Sequence, residues 1–222
     1  MKLLTTTGFI FGSLMALTAT LPAQALDFNI NNAGGNIAAQ DPAFAPGVSD
    51  FTFNFSGNGY TTNNVTLSIG SLVTDDLSQL ELFLSSPAGA NQKTLTLSSF
   101  SLFGTQMTST VFSDAGSSIG SGSAPYTSAF QPAGGGGAYF NNGGTFTSFS
   151  EAFAGIDPVG DWTLSIYSDN VNVGTLGNVT LTVQADVPFD FDSTIGLLVL
   201  GGFWGMRKWS KLMNRPVAKV KI

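Results

Sequence analysis

The amino-acid sequence predicts an all-β fold of the β-sandwich class, and three observations support this. Apolar residues alternate with small polar residues in several short runs, most regularly at residues 162–166 and 179–183. Such alternation places one set of side chains on one face, so each run is typical of a half-buried β-strand. Turn-forming residues separate the runs, and charged residues are only 10% of the chain, which argues against long surface helices. We expect the two named runs to pair as an antiparallel hairpin.

The same alternation predicts further strands and a buried tryptophan. Apolar residues alternate with polar residues at 51–55, 65–69 and 80–84, and a return strand follows at 95–97. Trp162 lies in phase with the apolar residues that follow it. We therefore expect this side chain in the core and not in a ligand site.

Residues 113–150 predict a long and less regular region, in which glycine, serine, alanine and asparagine dominate. A loop of this length inside a domain is either functional or a flexible excursion, and both interpretations stay open. Aromatic side chains recur in it, and we expect them to pin the loop to the sandwich, because aromatic residues chiefly contribute burial. They are Tyr126, Phe130, Tyr139, Phe140, Phe146 and Phe149.

The first 25 residues have the three parts of a secretory signal peptide, which we expect to be helical. Lys2 supplies a positive start, residues 9–19 form an apolar stretch, and Ala23 and Ala25 occupy the small positions of a cleavage site. Cleavage after Ala25 leaves a domain over residues 26–186. The alternative is a short membrane anchor, but the apolar run is too short to span a bilayer comfortably.

The absence of histidine and cysteine from the sequence excludes several catalytic classes. Ser-His-Asp and Cys-His mechanisms need these residues, as do zinc sites built on them. Residues 116–120 match Gly-x-Ser-x-Gly, but a nucleophile elbow also needs a histidine partner, so we interpret this match as coincidence. A glycosidase with paired carboxylates is formally possible, yet nothing in the sequence fixes such a pair. We therefore expect the protein not to be an enzyme.

Charge is divided unevenly between the domain and the C-terminus. All 14 acidic residues lie between Asp27 and Asp192, a stretch that contains one basic residue, Lys93. Nucleic acid and anionic lipid are therefore poor partners for this region. The acidity serves either solubility or cation binding, and both interpretations stay open.

A weak Ca²⁺ site is predicted at one loop end of the sandwich, with Asp76, Asp114 and Asp169 as candidate ligands. Loops at one end of a sandwich converge in space although they are distant in sequence. Clustered carboxylates repel one another, and a hard divalent cation relieves this repulsion while accepting oxygen ligands. The alternative is that each aspartate caps a turn through the backbone. Calcium is the one cofactor that the sequence suggests.

An ordered set of motifs over residues 50–184 resembles the P domain of proprotein convertases, also called P/Homo B. Residues 76–89 have the Asp-Leu opening, alternating apolar residues and Ser-Pro-x-Gly of its first signature. Residues 111–115 and 123–132 resemble the segments that follow it, and residues 160–164 have the closing Gly-x-Trp-x-Leu. All three predicted calcium ligands fall within or beside these motifs.

The resemblance implies a jelly-roll β-sandwich. In that family the domain stabilises or assists a neighbouring subtilisin-like protease. The chain departs from the family at residues 176–178, where a second tryptophan is usual.

The composition changes abruptly after Asp186. A short motif comes first, then an apolar stretch at residues 195–206, and then a basic tail. The stretch predicts a short hydrophobic helix of ~18 Å, which falls short of the ~30 Å hydrocarbon core of a bilayer. The motif consists of Val187, Pro188, Phe189, Asp190 and Phe191, and the first basic residues after the stretch, expected to stop transfer, are Arg207, Lys208 and Lys211.

Residues 187–222 resemble a PEP-CTERM-type sorting signal, with Asp190 where glutamate is commoner. The resemblance implies recognition by an exosortase-like membrane protease, contact of this segment with the membrane at least until processing, and delivery to the cell surface or beyond. The alternative is a plain C-terminal membrane anchor. A short apolar run with acidic and basic flanks favours the processed segment.

The sequence therefore predicts an exported, non-catalytic β-sandwich module at the cell surface or outside the cell, with a structural or binding role. Its partner is a surface protein or a glycan. One alternative is an accessory module that stabilises a separately encoded subtilisin-like serine protease. Another is a carbohydrate-binding, lectin-like surface protein.

Overall fold

The computed structural model describes residues 24–41, 45–89, 92–100, 102–135 and 146–187. The expected C-terminal helix and residues 1–23 of the expected N-terminal helix lie outside these ranges, whereas residues 24 and 25 begin the first strand. Within them, the chain forms eleven β-strands, one short α-helix and two 3₁₀ turns. The strands and the helix are β1 (Gln24–Asn32), β2 (Gly35–Ile37), β3 (Gly47–Phe55), β4 (Thr61–Val73), β5 (Leu80–Ser85), β6 (Thr94–Ser98), β7 (Gln106–Ser118), β8 (Ala129–Gln131), α1 (Phe149–Phe153), β9 (Gly160–Ser168), β10 (Gly174–Leu176) and β11 (Val179–Val187).

The larger sheet is centred on β4, which is 13 residues long. β11 and β10 lie end to end along one edge of β4, and they pair with residues 61–69 and 72–73 respectively. β1 pairs with the outer edge of β11, and β2 pairs with β10. β7 pairs with the other edge of β4, and β8 adds to β7 as a parallel strand.

The smaller sheet has the antiparallel order β3-β9-β5-β6, and its inward face packs on the larger sheet. Trp162 on β9 is fully buried in the core between the sheets. Its Nε1 donates a hydrogen bond of 2.9 Å to the carbonyl oxygen of Pro158, and the Phe153 ring meets it edge-on with the centroids 5.0 Å apart. The all-β sandwich and the inward position of Trp162 are therefore confirmed.

One strand pairing predicted from the sequence is wrong. β9 and β11 are strands as expected, but they do not form a hairpin, because they belong to different sheets. The linker between them contains β10 and carries the chain from the smaller sheet to the larger one. Two strands that face each other across a core show the same alternation as two strands that pair. The pattern of apolar residues could not distinguish these arrangements.

The described residues of the region at 113–150 contain more regular structure than the composition predicts. β7 continues to Ser118, β8 lies within the region, and α1 begins there and ends at Phe153. The aromatic residues pin it to the core as predicted, where the structure describes them: Tyr126, Phe130 and Phe149 are buried, and Phe146 packs against the core. Tyr139 and Phe140 lie outside the described residues.

The sandwich has two ends, which we name by what they carry. At the proximal end β1 begins and β11 ends, with Gln24 opposite Val187. The loops between β3 and β4, between β5 and β6, and between α1 and β9 lie at this same end, as the strand registers show. At the distal end lie the loops between β4 and β5, between β6 and β7, and between β9 and β10.

Candidate functional site

The aspartates predicted to bind calcium are divided between different parts of the sandwich. Asp76 lies in the distal loop after β4, where its Oδ1 accepts a 2.9 Å hydrogen bond from the backbone N–H of Ser78. The backbone N–H of Asp169 donates to the carbonyl oxygen of Gln79 at 2.9 Å, so Asp169 lies at the same end. These two residues therefore lie at the same end of the sandwich.

Asp114 lies away from this end, on β7 and beside α1. Its Oδ1 accepts from the backbone N–H of Phe149 at 2.6 Å, and its Oδ2 accepts from the N–H of Ser150 at 2.9 Å. Both bonds satisfy donors in the first turn of α1, which have no partner within a helix. Across the described ranges, no group of three or more acidic side chains is placed to hold a metal ion. Calcium binding stays a prediction that concerns Asp76 and Asp169.

Four exposed apolar side chains gather at the distal end. Six large hydrophobic residues are exposed in the described part of the chain, and four of them lie in or beside the distal loops. We name this set the distal patch. It consists of Val73, Phe103, Val171 and Val173, which are 48%, 78%, 72% and 64% exposed.

Hydrogen bonds hold the distal loops together. The backbone N–H of Thr74 donates to Thr105 at 3.0 Å, and that of Leu77 donates to Gly104 at 2.7 Å, which fixes the loop of Phe103 against the end of β4. The Nδ2 of Asn172 donates to Oδ2 of Asp75 at 2.6 Å. The exposed side chains therefore project from loops whose backbones are fixed.

The loop that carries Val171 and Val173 is also anchored from within. Asn170 is buried, its N–H donates to Ser168 Oγ at 3.1 Å, and its Oδ1 accepts from the N–H of Asn172 at 2.9 Å. An asparagine in this role forms a local turn, which sets the path of the next residues. Val171 lies within this turn and Val173 follows it, and both side chains are exposed.

A polar cluster on the outer face of the smaller sheet was missed by the sequence analysis. Asp50 Oδ1 accepts a 2.6 Å hydrogen bond from Ser165 Oγ, and Tyr167 lies two residues farther along β9, opposite Glu81 of β5. Burial raises the pKa of Tyr167 above its ordinary value, and the negative charges of Asp50 and Glu81 raise this pKa further. The phenol therefore stays protonated at neutral pH. These residues come together only through the pairing of β3, β9 and β5. No pattern in the sequence indicated that pairing.

A groove lies at the proximal end, between the turn after β5 and the loop before β9. Its volume is about 470 Å³, and its lining includes Pro87, Gly89, Lys93, Ile156 and Val159. The Lys93 ammonium lies 5.3 Å from the centroid of the Phe146 ring. This geometry is a cation–π contact, which holds the charge at the groove.

The residues predicted for processing and sorting lie at or beyond the edges of the described chain. Ala25 is the second residue of β1, and Val187 is the last residue of β11. The others lie outside the described residues: Ala23, Pro188, Phe189, Asp190, Phe191, Arg207, Lys208 and Lys211. Among the residues that the structure does describe, no helix has the length and apolar character to cross a membrane.

Comparison with known proteins gives little beyond the fold seen directly. No protein-family model matches the chain, and no curated protein matches it. Among solved structures, the chain is similar to the serine protease of Aeromonas sobria in complex with its chaperone, with 16% identity and a TM-score of 0.38 over 75% of this chain and 28% of that one. A second structure, of the serine protease of Aeromonas sobria, gives 16% identity and a TM-score of 0.36 over 74% of this chain and 27% of that one. The chain thus spans less than a third of these proteins, and so weak a likeness carries no argument about family or function.

Proposed function

We propose that the protein is an exported, non-catalytic β-sandwich of the P-domain type that binds a protein partner through the distal patch. Its C-terminal segment delivers it to the cell surface as a sorting signal. The observation that carries the binding role is the presence of four large apolar side chains, 48–78% exposed, at the end of β4 and on neighbouring loops that hydrogen bonds fix. Several exposed large apolar side chains at one end of a folded domain are typical of an interaction site.

The chemistry of the distal patch favours a protein as its partner. Valine and phenylalanine side chains gain from being buried against another apolar surface, and fixed loops lose little conformational entropy on binding. Three of the four residues of the patch are aliphatic, whereas glycan binding relies on flat aromatic faces and many polar groups. Asp75 and Asp76 lie beside the patch, so a partner with basic residues around an apolar contact is complementary.

The sequence resemblance favours one class of partner as a second candidate. P domains assist subtilisin-like proteases, and the ordered motifs of that family extend over residues 50–184. In this version, the distal patch contacts a separately encoded protease of that type and stabilises it.

Site-specific crosslinking tests the binding role in the full-length chain. A photoreactive phenylalanine analogue replaces Phe103 in one variant and Leu26 in a matched control, because Leu26 is also exposed, at 38%, but lies at the proximal end. We expect irradiation of intact cells to give a discrete protein adduct from position 103 and none from position 26. Val173→Asp should abolish the adduct, since a carboxylate there opposes apolar burial.

The outcome also separates the candidate functions. Identification of the adduct as a subtilisin-like protease supports the accessory role. Equal adducts from both positions, or none from position 103, contradict the proposed use of the distal patch. The folded chain could instead bind glycans and lose this binding in Phe103→Ser. That result would support the lectin-like alternative.

Export and sorting have a separate test. We expect N-terminal sequencing of the surface-located protein to begin at Leu26, and its mass to lack the basic tail after Arg207. Recovery of the intact chain from the cell interior contradicts this part of the proposal.

A further inference from the structure

The chain leaves the sandwich next to the proximal groove. Asp186, the residue before the end of β11, lies opposite Thr61 in the sheet register. The next residue, Thr62, donates its N–H to the carbonyl oxygen of Ile156 at 2.9 Å and accepts from the N–H of Gly155 at 2.8 Å. Because Gly155 and Ile156 line the groove, its wall is separated from the exit of the chain by one strand.

The segment that follows has a composition complementary to this groove. Residues 188–192 read Pro-Phe-Asp-Phe-Asp, two aromatic residues that alternate with two carboxylates. The groove offers apolar contact at Pro87, Ile156 and Val159 and a positive charge at Lys93. Five extended residues reach ~17 Å, which is enough to pass the intervening strand.

Charge makes the proximal groove the one favourable position for this segment on the domain. Residues 26–186 contain one basic residue, Lys93, against 12 acidic ones, so other surfaces of the domain repel a segment with two carboxylates. Asp157 also lines the groove, where its Oδ1 accepts a 3.0 Å hydrogen bond from the N–H of Val159. That hydrogen bond partly compensates the negative charge of the Asp157 carboxylate. The Lys93 ammonium is then the group in the groove that attracts the carboxylates of the segment.

We propose that residues 188–192 fold back into the proximal groove of their own chain, with Asp190 or Asp192 paired to Lys93. The docked segment is the core of the sorting motif, so docking shields it from a processing protease. The motif becomes available when the segment leaves the groove. The shielding of the motif from a protease rests on the proposed sorting role. The docking itself depends only on the domain and the segment.

Disulfide trapping in the full-length chain tests the docking, because the sequence contains no cysteine. Gly89 suits a probe, because it is exposed and a Cβ added there meets no atom within 4 Å. The test pair is Gly89→Cys with Phe191→Cys, and the matched control pair is Val173→Cys with Phe191→Cys at the distal end. We expect dilute oxidation to close the test pair at least about tenfold faster, because docking raises the local concentration of one thiol near the other.

The charge contribution has its own variants. Adding Lys93→Glu to the test pair should slow closure about three- to fivefold, the scale of one partly exposed ion pair. Adding Asp190→Lys and Asp192→Lys to that variant should restore the original rate. Far-ultraviolet circular dichroism of each variant verifies that the sandwich is intact, so a slow rate cannot come from unfolding.

Three results overturn the docking proposal: equal rates for the test and control pairs, a fast rate that Lys93→Glu leaves unchanged, or a disulfide that forms between two chains. The measurement uses purified protein without sorting machinery. A protein that is not delivered to the cell surface therefore contradicts the proposed function but not the docking. A test pair that does not close faster than the control pair contradicts the docking but not the proposed function.

Discussion

Replacing Trp162 with alanine tests how the core is built. The side chain is fully buried, lies edge-on to the Phe153 ring and donates from Nε1 to Pro158. The substitution removes the indole, leaves a void between the two sheets and deprives a buried carbonyl oxygen of its donor. No surface residue of the domain combines these roles, so the expected loss is large.

The magnitude follows from burial and hydrogen bonding. A buried tryptophan removes about 150–250 Å² from water, which corresponds to about 4–6 kcal/mol at about 25 cal/mol per Å². Alanine keeps part of this burial, and the unfolded chain already buries some apolar surface, so the difference is smaller. The lost hydrogen bond adds about 1 kcal/mol. We expect a net loss of about 3–5 kcal/mol, a large share of the stability of an ordinary domain.

The assay is urea unfolding of the full-length chain, followed by far-ultraviolet circular dichroism so that the loss of indole fluorescence has no effect. Phe103→Ala is the matched control, since it also truncates an aromatic residue, but one that is 78% exposed. We expect the control to change the free energy of unfolding by less than about 0.5 kcal/mol. Equal midpoints for Trp162→Ala and the unsubstituted chain would refute the inward assignment of β9.

Three further predictions concern the acidic side chains. Asp114→Ala should lower the free energy of unfolding by about 1–2 kcal/mol, measured by the same urea assay, because two N–H groups of α1 lose their acceptor; an unchanged midpoint contradicts the cap. A hydrogen bond from the Thr147 backbone N–H, and secondly one from the Thr147 hydroxyl, lower the pKa of Glu151. The ionised carboxylate of Glu151 therefore stabilises the folded state above the ordinary carboxylate pKa, and this stabilisation is lost as the pH falls through the lowered pKa of the folded state. Between pH 6 and pH 3, the melting midpoint of Glu151→Gln should fall less than that of the unsubstituted chain. The same pH dependence in both proteins contradicts a stabilising role of the Glu151 carboxylate. Millimolar Ca²⁺ should raise the melting midpoint over that in chelator, and Asp76→Asn should remove the rise; identical midpoints leave turn capping as the explanation.

The sequence predicted the strands well because their faces differ strongly in polarity. Phe53 on β3 and Leu67 on β4 point into the core from predicted strands, and Trp162 does so from β9. Each of these assignments depends on side chains within one run of residues. Burial of one face of a strand imposes such a pattern whichever strand lies beside it.

Long-range partners could not be predicted in the same way. Asp114 caps a helix 35 residues away, and Asp50 bonds to Ser165 across 115 residues. Each contact depends on which strands pair and in what register. Composition and the spacing of residues do not specify this pairing, so they could not predict the contacts. The hairpin error had the same cause, because β9 and β11 belong to different sheets that share one core instead of pairing.

The positions of the two ends bear on how the proposed function is carried out. β1 begins and β11 ends at the proximal end, and the nine residues of β11 span about 30 Å between the two ends of the sandwich, at ~3.3 Å per residue. A C-terminal attachment, whether transient or lasting, therefore projects the distal patch away from the membrane. The excess of acidic side chains adds to this, because an anionic membrane surface repels the domain. Lys93 is the exception and lies at the proximal end, where β11 ends at Val187. In the proposed function, the one basic residue of the domain thus lies at the end where β11 ends, and the exposed apolar side chains lie at the opposite end, where we propose that the partner binds.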